Sequence, residues 1–493
     1  MENSYILSLD QGTTSSRAIV YNHKGEVCAV AQKEYPQIFP KQNWVEHDPS
    51  DILSSQFAVA AEAIAKFGFS SSQLAAIGIT NQRETTIVWD RKTGRPVYNA
   101  IVWQDHRTAD FCDKLKQEGH SEYVKQKTGL EIDAYFSATK IRWILDNVVG
   151  AKQKALNGDL IFGTVDTWII WNLSGGKEHV TDVTNASRTL LFNINTLSWD
   201  EDLLKMFGIP ASMLPKVKMN DDIFAKTSGS ILQKEIPVAA IAGDQQAAMF
   251  GQMCVEKGMA KNTYGTGCFL MMNTGDKAVF SKHRLLSTIA WNIKGKTTYA
   301  LEGSVFVGGA VIQWLRDGLE IINKTKDVEK LALQVSDNGG VYVVPAFTGL
   351  GAPHWQQNAE GLIYGISRGT TKAHIARAAL ESIAFQSFDV IQAMEKDTGI
   401  KIQNLRVDGG ATANNLLMQF QSDILNANVE RPEILETTSL GVAYMAGLNI
   451  GFWDDIDEIK QQWKLEKEFV PSMNKSDREF LTGSWNKVVK KSY

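Results

Sequence analysis

The chain has 493 residues, 44% of them hydrophobic, too many for a single core, so two large domains or three ordinary ones are expected. Its 51 Lys and Arg against 55 Asp and Glu give a net charge of −4 without any long block of one sign, which leaves nothing to recruit nucleic acid. Four scattered cysteines form no Cys-x-x-Cys pair, and no stretch approaches the roughly 18 to 20 apolar residues of a membrane span, so a soluble cytoplasmic protein without disulfides, zinc or membrane insertion is expected.

The first predicted elements, at residues 5–20, are a strand, a hydroxyl-rich turn and a second strand. Asp10 closes the first strand, Gly12 permits close backbone approach, and Thr13, Thr14 and Ser15 offer N–H and hydroxyl donors to phosphate oxygens. Arg17 adds a fixed positive charge, and Asp10 suits a hydrated magnesium ion. A strand follows the turn instead of a helix, which separates this segment from the Gly-x4-Gly-Lys-Ser/Thr loop and from the dinucleotide fingerprint. It resembles the phosphate hairpin of an actin-like ATPase; an ordinary β-turn facing water is the alternative from this segment alone.

Further along, a strand is predicted at 26–32 and an amphipathic helix at 51–66, with Ser50 as N-cap after Pro49 and Gly68 beyond its end. Strands at 75–80 and 85–90 flank Asn81-Gln82-Arg83-Glu84, and the order indicates an α/β domain. Near residue 236 the pattern starts again: a buried strand runs into Gly243-Asp244-Gln245, echoing Asp10-Gln11, and a second strand-turn-strand at 260–272 carries Gly265-Thr266-Gly267. Two related domains are therefore expected, 1–252 and 253–493, joined between Gly251 and Gly258. A helix with an apolar stripe is predicted from Lys372 to Lys396, closed by Gly399. The strand at 405–407 then meets Asp408-Gly409-Gly410-Ala411 and a helix at about 414–425. Those glycines allow a flat ligand against bare backbone, or else make a tight turn with no ligand.

With phosphate hairpin, second carboxylate, Gly-Thr-Gly turn and Asp-Gly-Gly turn in this order, the chain resembles the FGGY family of carbohydrate kinases over nearly its whole length. Residues 135–143 and 340–353 are similar to the two signature regions of that family. Residues 44–49, 78–86, 184–189 and 242–248 are similar to its glycerol-phosphorylating branch. The resemblance implies two actin-like (ribonuclease H-like) α/β domains flanking a deep catalytic cleft. It also implies ATP-dependent phosphorylation of glycerol to sn-glycerol 3-phosphate with magnesium, in glycerol uptake and catabolism, by a homo-oligomer, dimer or tetramer. By position it places glycerol contacts on Arg83, Glu84, Tyr135, Asp244 and Gln245, with Trp103 and Phe269 as walls. It places nucleotide contacts on Thr13, Thr14, Ser15, Arg17, Thr266, Gly309, Gln313, Gly410 and Asn414, and magnesium on Asp10.

A small triol offers three hydroxyls and little apolar surface, so recognition needs paired donors and acceptors. Arg83 and Glu84 supply one of each, although adjacent charges at a strand end are also commonly a solvated pair. Asp244 is the candidate base, with a magnesium ligand or helix N-cap as alternatives. His47, His106, His179 and His354 lack metal-ligand spacing. Ala134 stands before Tyr135 where the resembled pattern usually has proline, which leaves that loop less rigid. Residues 226–237 hold neither Arg nor His. Some bacterial relatives bind fructose 1,6-bisphosphate or accept a phosphoryl group there, so insensitivity to both signals is expected.

Overall fold

The computed structural model describes residues 4–66, 68, 71–228, 234–356 and 358–493. Five residues of the segment expected to lack regulatory function, 229–233, lie outside the described residues.

Two sheets organise the chain. The first is built from β1 (Tyr5–Gln11), β2 (Ser15–Tyr21), β3 (Val27–Glu34), β4 (Leu74–Asn81), β5 (Ala225–Lys226) and β6 (Pro237–Gly243), in the order β5-β6-β4-β1-β2-β3. β1, β2 and β3 run antiparallel in succession, whereas β4 is parallel to both β1 and β6. The second contains β7 (Ala260–Tyr264), β8 (Cys268–Gly275), β9 (Leu286–Ile293), β10 (Lys296–Val305), β11 (Asn404–Asp408), β12 (Asn428–Pro432) and β13 (Leu465–Phe469), in the order β9-β10-β8-β7-β11-β12-β13. Apart from the edge strand β9, the order and directions repeat those of the first sheet. The repeat expected from residue 236 thus begins at Ala260. The strand Pro237–Gly243 completes the first sheet, because its near-continuous apolar run pairs with β4 as a strand buried on both faces.

Helix α1 (Pro49–Lys66) packs on β2 and β3 through Ile52, Val59 and Ala63. Its cap is Asp48 and not Ser50: Pro49 opens the helix, and Oδ1 of Asp48 accepts from the Ser50 N–H at 2.7 Å. The predicted strand at 85–90 is shorter, Ile87–Asp90. Between β4 and β5 the chain builds a smaller layer with helices Ala109–Gln117, Ser121–Thr128 and Ser137–Asn147 around a core including Phe136, Ile141, Phe162 and Phe207.

Two helices tie the sheets together. α2 (Asp244–Gly251) follows β6 and contacts β7, β8 and β9 of the other sheet. α3 (Ala310–Asp317) packs on α4 (Lys372–Thr398), which lies on the second sheet and ends at Gly399 with φ 70°. α5 (Asn415–Leu425) is followed by α6 (Thr437–Asn449), which packs back on β1, β4 and β6. At the crossing of α2 and α6, a Cβ on Gly441 would lie 1.8 Å from the Ala247 carbonyl oxygen, and one on Gly251 would lie 2.0 Å from that of Thr437. Only glycine permits this approach.

Candidate active site

The parallel strands β1, β4 and β6 end side by side, with Gln11 opposite Asn81 and Asn81 opposite Gly243. Asp10, the Arg83-Glu84 step and Asp244 are therefore delivered to one edge, where open α/β sheets bind ligands. Side chains support the turn between β1 and β2: Tyr35 Oη donates to the Gly12 carbonyl at 2.6 Å, and Gln37 Nε2 to that of Thr13 at 2.9 Å. The Gly12 N–H donates to the Ser15 carbonyl at 3.0 Å, and Ser15 Oγ accepts from Gln32 at 3.2 Å. Thr14 is exposed. Arg17 is ion-paired with Glu436, the residue before α6.

Arg83 and Glu84 are not a solvated pair; both are buried. Glu84 has φ 62°, and the Thr85 N–H donates to the Arg83 carbonyl at 2.7 Å. This three-residue turn is costly for a residue with a side chain, and such strain is typical of functional positions. Both partners depend on residues that sequence reasoning missed. Glu302 of β10 accepts from Arg83 through Nη1 at 2.6 Å and Nη2 at 2.9 Å. Arg188 donates through Nε to Glu84 at 2.6 Å and through Nη2 to Glu302 at 3.0 Å. Burial alone would raise the Glu302 carboxyl, but Arg188 and Arg83 hold it at about 2. Burial wins at Glu84, whose carboxyl is raised. A lone acid inside the apolar run Tyr299-Ala300-Leu301-Glu302-Gly303 was the available signal.

Aromatic rings line this end. Trp103 meets Tyr135 with centroids 5.6 Å apart and Phe269 at 6.2 Å, both edge to face. The indole Nε1 donates to Thr13 Oγ1 at 2.9 Å, linking the aromatic wall to the phosphate hairpin. The loop before Tyr135 is firm despite Ala134. Nζ of buried Lys140 donates to the carbonyls of Ala134, Tyr135 and Phe136 at 2.6, 2.6 and 3.2 Å, replacing the stiffness a proline would give.

Asp244 is the first residue of α2, and its carboxyl is raised by burial against the opposing pull of Arg83. Its Oδ1 lies 3.2 Å from Arg83 Nε, and its side chain keeps 30% of its exposure. Oδ1 also accepts from the Gln245 N–H at 2.7 Å. The Gln245 side chain accepts from Nζ of buried Lys261, a third residue not singled out from sequence.

The remaining predicted residues gather at the matching edge of the second sheet. β7 and β11 are parallel, with Thr263 opposite Asp408, so the turns at Gly265–Gly267 and Gly409–Ala411 are neighbours. A Cβ on Gly409 would meet the Tyr264 carbonyl oxygen at 2.5 Å. The Thr266 carbonyl accepts from Gly308 at 2.8 Å, and the Gly309 carbonyl accepts from Gln313 at 3.2 Å. Thr266, Gln313 and Gly410 are exposed. Asn414 caps α5, its Oδ1 accepting from the Leu417 N–H at 2.9 Å.

Among the described residues no three His, Cys, Asp or Glu side chains cluster as a metal cage. Asp10 is raised to about 7, first by burial, with Arg17 pulling it down and the nearby Asp244 and Glu436 carboxylates pushing it further up. A carboxylate so short of positive charge fits magnesium, which is held by one or two carboxylates together with substrate phosphates and water.

Residues 5–251 match the N-terminal domain of the FGGY family of carbohydrate kinases, and residues 260–450 match its C-terminal domain. The chain belongs to this family. It is 60% identical over 490 residues to the glycerol kinases of Paraburkholderia phytofirmans and Burkholderia pseudomallei, covering 99% of this chain and 98% of each. Among solved structures, Plasmodium falciparum glycerol kinase with ADP is similar at TM-score 0.93 and 39% identity, covering 99% of this chain and 98% of that one. Xylulose kinase from Lactobacillus acidophilus shares the fold at TM-score 0.88 and 23% identity, covering 99% and 97%.

Proposed function

We propose that the chain transfers the γ-phosphoryl group of ATP to a terminal hydroxyl of glycerol, giving sn-glycerol 3-phosphate and ADP, in glycerol uptake and catabolism. The observation that carries this reading is the buried Arg83-Glu84 step beside Asp244, walled by Trp103, Tyr135 and Phe269. A guanidinium and a carboxylate fixed side by side match the donors and acceptors of adjacent hydroxyls. Tyr135 and Gln245 complete the polyol set. The aromatic rings exclude water and limit ligand length.

Asp244 serves as the base. Its carboxylate takes the hydroxyl proton as the glycerol oxygen forms its bond to the γ-phosphorus, and the bond from that phosphorus to the β,γ-bridging oxygen breaks to release ADP. Thr13, Thr14 and Ser15 cradle phosphates, and Arg17 turns to them from Glu436. Thr266, Gly309, Gln313, Gly410 and Asn414 receive the nucleotide. A magnesium ion at Asp10 would neutralise charge on the transferring group. The domains are 1–252, carrying the hairpin and polyol residues, and 253–493, carrying the nucleotide edge. We place the enzyme in the cytoplasm as a homo-oligomer, dimer or tetramer; no described helix is long and apolar enough to cross a membrane.

Coupled ADP release with magnesium and ATP, measured across glycerol, xylulose, ribulose and erythritol, tests the assignment. Glycerol is expected to give the highest kcat/KM. Release unchanged by glycerol but raised by one of the others would overturn it.

A further inference from the structure

We infer that Arg188 and Glu302 act as positioning residues for the polyol pocket, a frame that holds Arg83 and Glu84 in binding geometry and makes that geometry depend on docking of the two sheets. This rests on the glycerol reading above. Arg83 and Glu84 follow β4 of the first sheet, whereas Glu302 lies on β10 of the second. Glu302 takes both Nη atoms of Arg83, and one Nη of Arg188 as well. Arg83 therefore has only Nε directed to Asp244, and its guanidinium plane is set from across the interface. Arg188 in turn holds Glu84, whose φ of 62° gives it no regular strand to rest on.

All four side chains are at most 2% exposed, so every member depends on the others for its charge partner. Nη1 of Arg188 is buried without an acceptor among the described residues, and its guanidinium carbon sits 5.7 Å from the Tyr135 ring centre. An unpaired charged donor is expensive in a purely structural network. Beside the polyol wall it can be satisfied by a ligand hydroxyl or by water held at the pocket.

The frame differs from a stability device in what it should change. Glu302→Asp keeps the charge and shortens its reach, and Arg188→Lys keeps the charge and loses the planar fork. Each is expected to raise the glycerol KM by about tenfold or more while the ATP KM stays within about twofold, the pattern for lost ground-state binding of one substrate. Wild-type turnover of glycerol is measured first. If wild type ignores glycerol, the functional reading fails; if wild type is active and a folded variant keeps the wild-type glycerol KM, the frame fails. Equal rises in both KM values would also overturn it.

Should a variant not fold, a crystal structure of the wild-type protein with glycerol decides the matter. The Arg83–Glu302 fork and the Arg188–Glu84 bond should persist around the ligand. Loss of either in the glycerol complex would overturn the inference.

Discussion

Nε of Arg83 stands 3.2 Å from Oδ1 of Asp244, while both Nη atoms of the same guanidinium are committed to Glu302. Asp244 is therefore oriented by a cation that another carboxylate has largely claimed, which steadies the group without quenching its basicity. On this geometry Asp244→Asn should lower kcat by roughly 10²-fold or more, the range for loss of a positioned base. ATP binding should change little. Isotherms for ATP and single-turnover rates check it, and near-normal turnover would remove Asp244 from the role of base.

The Tyr135 loop should respond to pH through Lys140. Burial pushes this ammonium down from 10.5 to about 8, against Asp105, Glu84, Asp133 and Cys112, which favour its charge. The folded chain thus loses the proton before the unfolded chain does, so this group adds stability as pH rises from about 8 to 10.5. Local order moves the other way, because a neutral amine has two donors for three carbonyls. Glycerol KM is expected to rise severalfold between about pH 7 and 9 without loss of global stability. In Lys140→Met it should be high and flat. A wild-type dependence retained in that variant would assign it elsewhere.

Arg17 cannot hold Glu436 and a phosphate equally well with one guanidinium. Glu436→Gln removes the competing charge, and the ATP KM is expected to fall by about two- to fivefold, a modest change because both side chains are partly exposed. A rise in the ATP KM would mean that Glu436 instead orients Arg17 for the nucleotide.

Gly441→Ala places a methyl against the Ala247 carbonyl, where α2 and α6 cross. It should destabilise the protein by about 1 to 3 kcal/mol through forced separation of the helices. Gly483→Ala is the control. It lies within the helix Lys475–Val489 with no atom within 4 Å of the added carbon, so stability should hold or rise. Paired denaturation curves check both, and equal midpoints would show that the crossing has slack.

The sequence by itself determined the strand ends and turns that carry local chemistry. Asp10 and Gly12, Gly265-Thr266-Gly267, Asp408-Gly409-Gly410 and the long helix closed by Gly399 are legible because turn preference and hydrophobic period act over a few residues. Asp48 was missed as a cap in favour of Ser50 because both are good capping residues and only the position of the first helical turn separates them. The strand at 237–243 was recognised and falls in the first expected domain, but it was read as the opening of a repeat that begins only at Ala260. A buried parallel strand reads alike in either sheet, and pairing with β4 is a contact of long sequence separation.

The tertiary structure alone decided what Arg83 and Glu84 are. Adjacent charges at a strand end are solvated unless opposite charges come from elsewhere, and here they come from Arg188 and Glu302, 104 and 219 residues away along the chain. The same holds for Lys140 beneath the Tyr135 loop, whose bonds to three backbone carbonyls give the stiffness that Ala134 does not. Burial of a charge is a property of the surroundings and not of the residue, so the residues flanking Arg83 and Glu84 do not announce it, and the one local trace is the lone acid Glu302 in its apolar run.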